Sequence, residues 1–129
     1  MTHKKYHPVL AILTLFVGIL FPSNAFCAPG DLYETDLGSG TVFKFASDGT
    51  KTSFVSGLIA PTGLAFDGKG NVFISDTGSG TIVKVAPDGT QNVFAVIQND
   101  GPIGIAFDAS GNLYVGLFNG GVVLRITPA

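Results

Sequence analysis

An all-β fold built from repeated units is predicted by three features of the sequence. Residues 61–90, PTGLAFDGKGNVFISDTGSGTIVKVAPDGT, are echoed along the chain at a spacing of 40–41 residues. The apolar residues come in runs of about five, separated by Gly-rich or Asp-Gly turns, as strands do. No segment after about residue 30 shows helical spacing of apolar residues. A period near 40 made of short strands is typical of a β-propeller blade, so we predict an incomplete β-propeller.

The repeat is defined by polar and glycine positions that recur at fixed offsets. An offset of 40 relates the first unit to the second, and an offset of 41 relates the second to the third. The pairs that show this are Asp36 and Asp76, Asp48 and Asp88, Gly63 and Gly104, and Asp67 and Asp108. We therefore divide residues 32–129 into repeats of about 32–60, 61–101 and 102–129.

Each complete unit offers four strands, which we label a to d from the ring axis outward. In the second unit these are GLAFD, NVFISD, TIVKV and NVFAV. The chain begins at strand b with LYETD and stops at strand c with VVLRI. The prediction is ten strands, or about two and a half four-stranded blades, whose last strand c has an unpaired edge.

The first 25 residues have the composition of a secretory signal peptide. The basic segment MTHKKYHP precedes an apolar run of thirteen residues, Val9 to Phe21, and Ser23, Asn24 and Ala25 form a small-x-small cleavage site. A membrane-spanning helix needs about 20 apolar residues, which this run lacks. We predict cleavage after Ala25, a loose segment over residues 26–31, and a secreted or periplasmic location without a stable membrane span.

Charge and cysteine content narrow the classes of partner. Removal of residues 1–25 takes away both histidines and leaves five basic and nine acidic groups, a net charge of −4. This charge disfavours nucleic acid as a partner. The single cysteine, Cys27, cannot form an internal disulfide.

Candidate binding residues are expected on one face of the ring. In antiparallel blades the b–c and d–a loops lie on one face and the tight a–b and c–d turns lie on the other. Variation between the units concentrates in the former loops, where binding residues are commonly found. The candidates are Thr62, Asp76, Asn99, Asp100 and Asn119.

Some charged positions have two interpretations. Asp36 and Asp76 end strand b, where a carboxylate can bind a ligand or accept amide hydrogens from the following Gly-Ser-Gly loop; we favour the second. Glu34, the only glutamate, stands where the other units have isoleucine or valine. The cations Lys44, Lys84 and Arg125 share one position on strand c and are expected to extend over apolar neighbours into water.

Metal and cofactor sites are not predicted. The turns that begin at Asp67 and Asp108 carry alternating oxygen groups, as calcium loops do. Lys69 occupies the place of a ligand, however, and no glutamate follows at the twelfth position. A plain hairpin turn accounts for both segments, so we expect no metal and no cofactor.

The unit resembles the NHL-type repeat of six-bladed propellers. Its pattern is G-hydrophobic-A-hydrophobic-D, then GN-hydrophobic-aromatic-hydrophobic-x-D, then a PDG turn, and the likeness covers Leu32 to Ala129. The chain is also similar to gluconolactonase-like and streptogramin-lyase-like propellers. The resemblance implies the blade but no single activity, because this superfamily includes lactonases, lyases, scaffolds and RNA-binding regulators. The lactonases' acidic metal ligand would align with Thr62, so the resemblance does not carry that ligand to this chain.

The function that follows is an exported, non-catalytic binding or interaction segment whose partner is a protein, a glycan or a small ligand. The alternative is a metal-dependent lactonase- or lyase-like enzyme that needs a completed ring, and we lean towards no enzymatic activity. About 100 residues are too few for a closed ring at this period. We therefore expect a truncated remnant of a longer gene, with a homo-oligomer that completes the ring and an open arc as alternatives.

Overall fold

The computed structural model describes residues 30–98 and 100–127. Within these ranges the chain forms ten strands and no helix, and so no helix that could cross a membrane. The predicted signal peptide lies outside the described residues, as does most of the segment 26–31. The strands are β1 Leu32–Asp36, β2 Thr41–Phe45, β3 Lys51–Val55, β4 Pro61–Phe66, β5 Val72–Asp76, β6 Thr81–Val85, β7 Gln91–Val96, β8 Pro102–Phe107, β9 Leu113–Leu117 and β10 Val123–Ile126.

The strands form three antiparallel sheets in chain order. Sheet 1 contains β1–β2–β3, sheet 2 contains β4–β5–β6–β7, and sheet 3 contains β8–β9–β10. Sheets 1 and 3 thus have three strands each and sheet 2 has four, which confirms the all-β prediction of a partial propeller. The inner strand of sheet 2, β4, lies against the inner strand of sheet 3, β8, and also contacts β1.

Apolar residues fill the two junctions between successive sheets. At the first junction, Val42 and Val55 of sheet 1 pack against Val72, Ile74 and Val83 of sheet 2. The second junction joins sheets 2 and 3 through Phe73, Ile82, Leu113 and Val115, together with smaller neighbours. Sheet 2 is therefore covered on both faces, and this explains why β5 is buried throughout.

An aromatic triad repeats at both junctions. In each triad a central ring on strand b meets two others edge to face, with ring centroids 4.9–5.2 Å apart. Such pairs contribute about 0.5–1.5 kcal/mol beyond the area that they bury. The triads are Tyr33, Phe54 and Phe66 at the first junction and Phe73, Phe94 and Phe107 at the second.

Candidate functional site

Two surfaces of the propeller segment differ in character. We call the surface formed by residues 37–40, 56–60, 77–80, 97–98, 100–101 and 118–122 the loop face, and the surface formed by residues 46–50, 67–71, 86–90 and 108–112 the turn face. Backbone hydrogen bonds connect neighbouring loops of the loop face: Thr77 N donates to Ala60 O and Phe118 N to Gly101 O, both at 2.9 Å. These loops therefore form one connected surface.

Thr62 lies in strand β4, and its prediction as a loop residue was wrong. Pro61 begins the strand and pairs with Asp76, a position that proline tolerates at a strand start. The Thr62 hydroxyl lies 2.8 Å from the Thr77 hydroxyl and 3.1 Å from that of Ser75. Thr62 is therefore part of a hydroxyl cluster between β4 and β5.

The hydroxyl cluster also reaches the neighbouring sheet. Thr77 Oγ1 donates to the Pro102 carbonyl at 2.6 Å, and Ser75 Oγ donates to the Ile103 carbonyl. Since both carbonyls belong to β8, the cluster joins sheets 2 and 3. The donors Ser75 and Thr77 were not identified from the sequence.

Asp76 holds a loop in place. Its carboxylate accepts the amide of Ala60 at 2.7 Å, the amide of Ile59 at 3.1 Å and the hydroxyl of Ser79 at 2.7 Å. Burial raises the pKa of Asp76, but these hydrogen bonds outweigh it and place the pKa below its ordinary value of 3.8. The amides of Ile59 and Ala60 come from the loop before β4, and the Gly-Ser-Gly loop after β5 contributes both the hydroxyl and the backbone of Ser79.

Asp100 performs the equivalent task in the third repeat, where Leu117 replaces the aspartate at the end of strand b. The Asp100 carboxylate accepts the amides of Gly101 and Asn119, both at 2.8 Å. The hydrogen bond from Asn119 is the main cause that lowers the pKa of Asp100. Asp100 and Asn119 are thus brought together, whereas Asn99 lies outside the described residues.

Four exposed apolar side chains on the loop face were missed by sequence reasoning, of which Val122, at 46%, is the least exposed. Leu37, Ile59 and Phe118 are 59%, 67% and 70% exposed, respectively. Leu37 and Phe118 share one repeat position, at which the second unit has Thr77. That variation is the signal that could have identified the position. The loop face thus presents apolar groups on loops whose backbone is fixed by carboxylates.

Two cavities lie beside the junctions. The first, of about 490 Å³, is lined by Glu34 and Thr35 of β1 and by Thr62 and Leu64 of β4, among others. The second, of about 930 Å³, opens on the turn face between sheets 2 and 3 and includes Lys84 and the rings of the second aromatic triad. In the first cavity a predicted site residue, Thr62, lies beside a glutamate, Glu34.

The turns that resemble calcium loops use their oxygens internally. Asp67 accepts the amides of Lys69 and Asn71 at 2.9 and 2.8 Å, and the Asn71 side-chain amide donates to it at 2.6 Å. Asp108 repeats this pattern in the third unit. Within residues 30–98 and 100–127, no group of three or more His, Cys, Asp or Glu side chains lies together in a way that could hold a metal ion.

The fold and the loop face define a segment of a β-propeller protein. A family model described as the SMP-30/Gluconolactonase/LRE-like region matches residues 23–129. The chain therefore belongs to the SMP-30/gluconolactonase/LRE-like family. No curated protein matches the chain.

Solved structures similar to the chain share its fold. A protein solved as a proposed gluconolactonase is 28% identical, with a TM-score of 0.58, and the match covers 74% of this chain and 34% of that one. A calcium-binding regucalcin from Agrobacterium tumefaciens is 20% identical, with a TM-score of 0.64 over 76% of this chain and 38% of that one. A chain of a nidogen/laminin complex is 23% identical, with a TM-score of 0.66 over 77% of this chain and 39% of that one.

The matches cover part of each solved structure and include proteins of different kinds. The chain spans between a third and two fifths of the length of these three structures. The similar structures include a proposed gluconolactonase, a streptogramin B lyase and a chain of a nidogen/laminin complex. They support the wider propeller superfamily and do not single out the NHL-type repeat.

Proposed function

We propose that this chain is part of an exported NHL-type propeller protein whose loop face binds a partner without catalysing a reaction. The observation that supports this best is how the loop-face carboxylates are used. Asp36, Asp76 and Asp100 accept backbone amides and fix the loops, while Leu37, Ile59 and Phe118 remain exposed on those loops. Exposed apolar groups on a rigid scaffold are typical of an interaction surface.

The partner that fits this surface best is a protein. An exposed aromatic such as Phe118 is the kind of side chain that anchors protein interfaces. Asn119 is also exposed and offers an amide for hydrogen bonding. A glycan or a small ligand with an apolar group would use the same side chains. The leader-like residues 1–25 support a secreted or periplasmic location for this encounter.

A second candidate function is favoured by the family and by the first cavity. The SMP-30/gluconolactonase/LRE-like family includes lactonase-like enzymes. Glu34 and Thr62 line the same cavity of about 490 Å³. In the alternative, a completed ring would add further oxygen ligands near Glu34, and a divalent ion held there would polarise a lactone carbonyl.

The proposal is tested with a random peptide library selected on the purified chain. We expect selected peptides to lose affinity for the variants Ile59→Ser and Phe118→Ser. They should bind normally to Val93→Ser, a matched control because Val93 is 61% exposed on β7 and outside the loop face. Peptides that respond only to the Val93 change would contradict the proposal.

The enzymatic alternative is tested by hydrolysis of gluconolactone with added calcium or zinc. The binding proposal predicts the background rate. Metal-dependent hydrolysis that Glu34→Gln abolishes would overturn the binding proposal and support the lactonase-like alternative.

A further inference from the structure

Lys84 and its equivalent in the first repeat, Lys44, lie in matching surroundings. Lys44 Nζ lies 5.9 Å from the centroid of the Tyr33 ring, and Lys84 Nζ lies 5.8 Å from the centroid of the Phe73 ring. Tyr33 and Phe73 are the central rings of the two aromatic triads. Both repeats therefore hold a lysine in the same way against the central ring of a triad.

The two lysines differ in their acidic partner. Lys44 Nζ lies 2.8 Å from Asp31 Oδ2, and the Asp31 side chain is only 6% exposed. The repeat places Asn71 at the position of Asp31, and the Asn71 side-chain amide donates to Asp67 at 2.6 Å. Within the part of the chain that the structure describes, no carboxylate lies within ion-pair distance of Lys84. Among these residues, the second lysine thus lacks the carboxylate contact that neutralises the first.

Lys84 borders the cavity that opens on the turn face between sheets 2 and 3. The volume of this cavity, about 930 Å³, is within the range of small-molecule sites, about 300–1,000 Å³. Four phenylalanine rings contribute to its lining, namely Phe66, Phe73, Phe94 and Phe107. Phe66 is 37% exposed and Phe94 is 40% exposed, so parts of these rings are open to a ligand. The cavity thus combines accessible aromatic rings with a half-buried ammonium group.

The other charged groups of the cavity belong to the two turns that border it. Asp67 and Asp108 each accept three hydrogen bonds from their own turn. Burial raises the pKa of Asp67, but hydrogen bonds from Asn71 and Lys69 and the charge of Lys84 outweigh it and place the pKa below its ordinary value of 3.8. The two carboxylates match Lys69 and Lys84 in number. The cavity therefore favours a ligand with one negative charge over a polyanion.

We propose that this cavity binds a small aromatic carboxylate, whose charged group pairs with Lys84 and whose ring packs against Phe66 and Phe94. The contact that the ligand makes already exists in the first repeat, where the Asp31 carboxylate meets the equivalent lysine, Lys44. An aromatic group suits the cavity because rings pack favourably edge to face, as those of the triad do. The site lies on the turn face, so it does not depend on the binding proposed for the loop face.

Isothermal titration calorimetry of the full chain with two aromatic acids, 3-phenylpropanoate and 2-naphthoate, tests the proposal. We expect saturable binding of at least one acid and none of acetate, which has the charge without the ring. The amide of the bound acid has the ring without the charge and should bind about tenfold more weakly, since it loses a charge-assisted contact. These comparisons use the unaltered chain, so they do not depend on the folding of a variant.

Four variants locate the site. Lys84→Met should weaken binding of the acid by about tenfold, and Lys84→Arg should retain most of the affinity. Asn71→Asp places a carboxylate at the position of Asp31, so it should compete with the ligand for Lys84 and weaken binding. Lys51→Met is the matched control, because Lys51 also lies over an aromatic ring, 3.7 Å from the centroid of Phe43, but belongs to β3 outside the cavity. Its affinity should equal that of the unaltered chain.

Other outcomes overturn the proposal. Failure of both aromatic acids to bind would exclude this class of ligand, and equal affinity for an acid and its amide would exclude the ion pair. A Lys84→Met variant with unchanged affinity would place the ligand elsewhere. An equal loss of affinity in Lys84→Met and Lys51→Met would show a response to overall charge rather than binding in this cavity.

Discussion

The hydroxyl of Ser75, in the middle sheet, is hydrogen-bonded to the carbonyl of Ile103 in the next sheet. The Ser75 hydroxyl donates to the Ile103 carbonyl, and it also accepts the Gly63 amide at 2.7 Å. One repeat earlier, Thr35 donates to the Thr62 carbonyl at 3.1 Å. Thr35 and Ser75 are repeat equivalents, as are Thr62 and Ile103. A hydroxyl on strand b thus joins successive blades at both junctions, in addition to the apolar packing.

The Ser75 bond should matter for stability because Ser75 is completely buried. Ser75→Ala would leave the Gly63 amide and the Ile103 carbonyl without this partner, and we expect the free energy of unfolding to fall by about 2 kcal/mol. Urea denaturation measures this. Ser53→Ala on the exposed side of β3 is the control and should be neutral. Equal stability of both variants would show that the hydroxyl is dispensable.

Gly63 should tolerate no side chain. A Cβ at Gly63 would overlap the Ile103 carbonyl oxygen and crowd the Ser75 hydroxyl, whereas a Cβ at Gly104 meets nothing within 4 Å. We therefore expect Gly63→Ala to destabilise the fold by about 3 kcal/mol and the equivalent change Gly104→Ala to have little effect. Thermal unfolding of the two variants gives the comparison. A larger loss of stability in Gly104→Ala than in Gly63→Ala would contradict the close approach of β4 to β8 at Gly63.

Asp76 should make stability depend on pH. Its pKa is lower in the folded chain than its ordinary 3.8, so its contribution is present above about pH 4 and is lost as the pH falls through the folded pKa. Asp76→Asn should cost about 2 kcal/mol at pH 7, and the cost should decrease as the pH falls below about 4, as measured by urea denaturation. Asp88→Asn, the same change on an exposed turn, should show a far smaller pH-dependent difference. If Asp76→Asn lowered the free energy of unfolding by the same amount at every pH in this range, a stabilising role for the charged Asp76 carboxylate would be excluded.

The strands could be predicted from the sequence because local signals define them. Asp-Gly and Gly-rich turns end each apolar run, and Asp67 and Asp108 bind their own turns within four residues. The exception at the start of β4 has a local cause as well. The predicted strand GLAFD begins at Gly63, whereas β4 begins at Pro61, because the first residue of a strand needs no amide hydrogen there.

The contacts that build the loop face could not be predicted in the same way. The hydroxyl bridges from Thr35 and Ser75 join residues 27 and 28 positions apart, and no local pattern signals them. Asp76 binds amides 16 and 17 residues earlier in the chain. The third unit replaces this cap with Asp100, which lies in the loop between β7 and β8. Such substitutions preserve the contact but not the sequence position.

The most direct test concerns what the loop-face carboxylates do. Isothermal titration calorimetry of the purified chain with calcium and with zinc measures whether Asp76 and Asp100 serve the loops or a metal ion. If these carboxylates only accept hydrogen bonds from the loops, neither ion gives saturable heat at neutral pH. Asp76→Asn and Asp100→Asn then lower the stability of the fold without changing metal binding. Saturable binding of either ion that one of these substitutions removes would contradict the account.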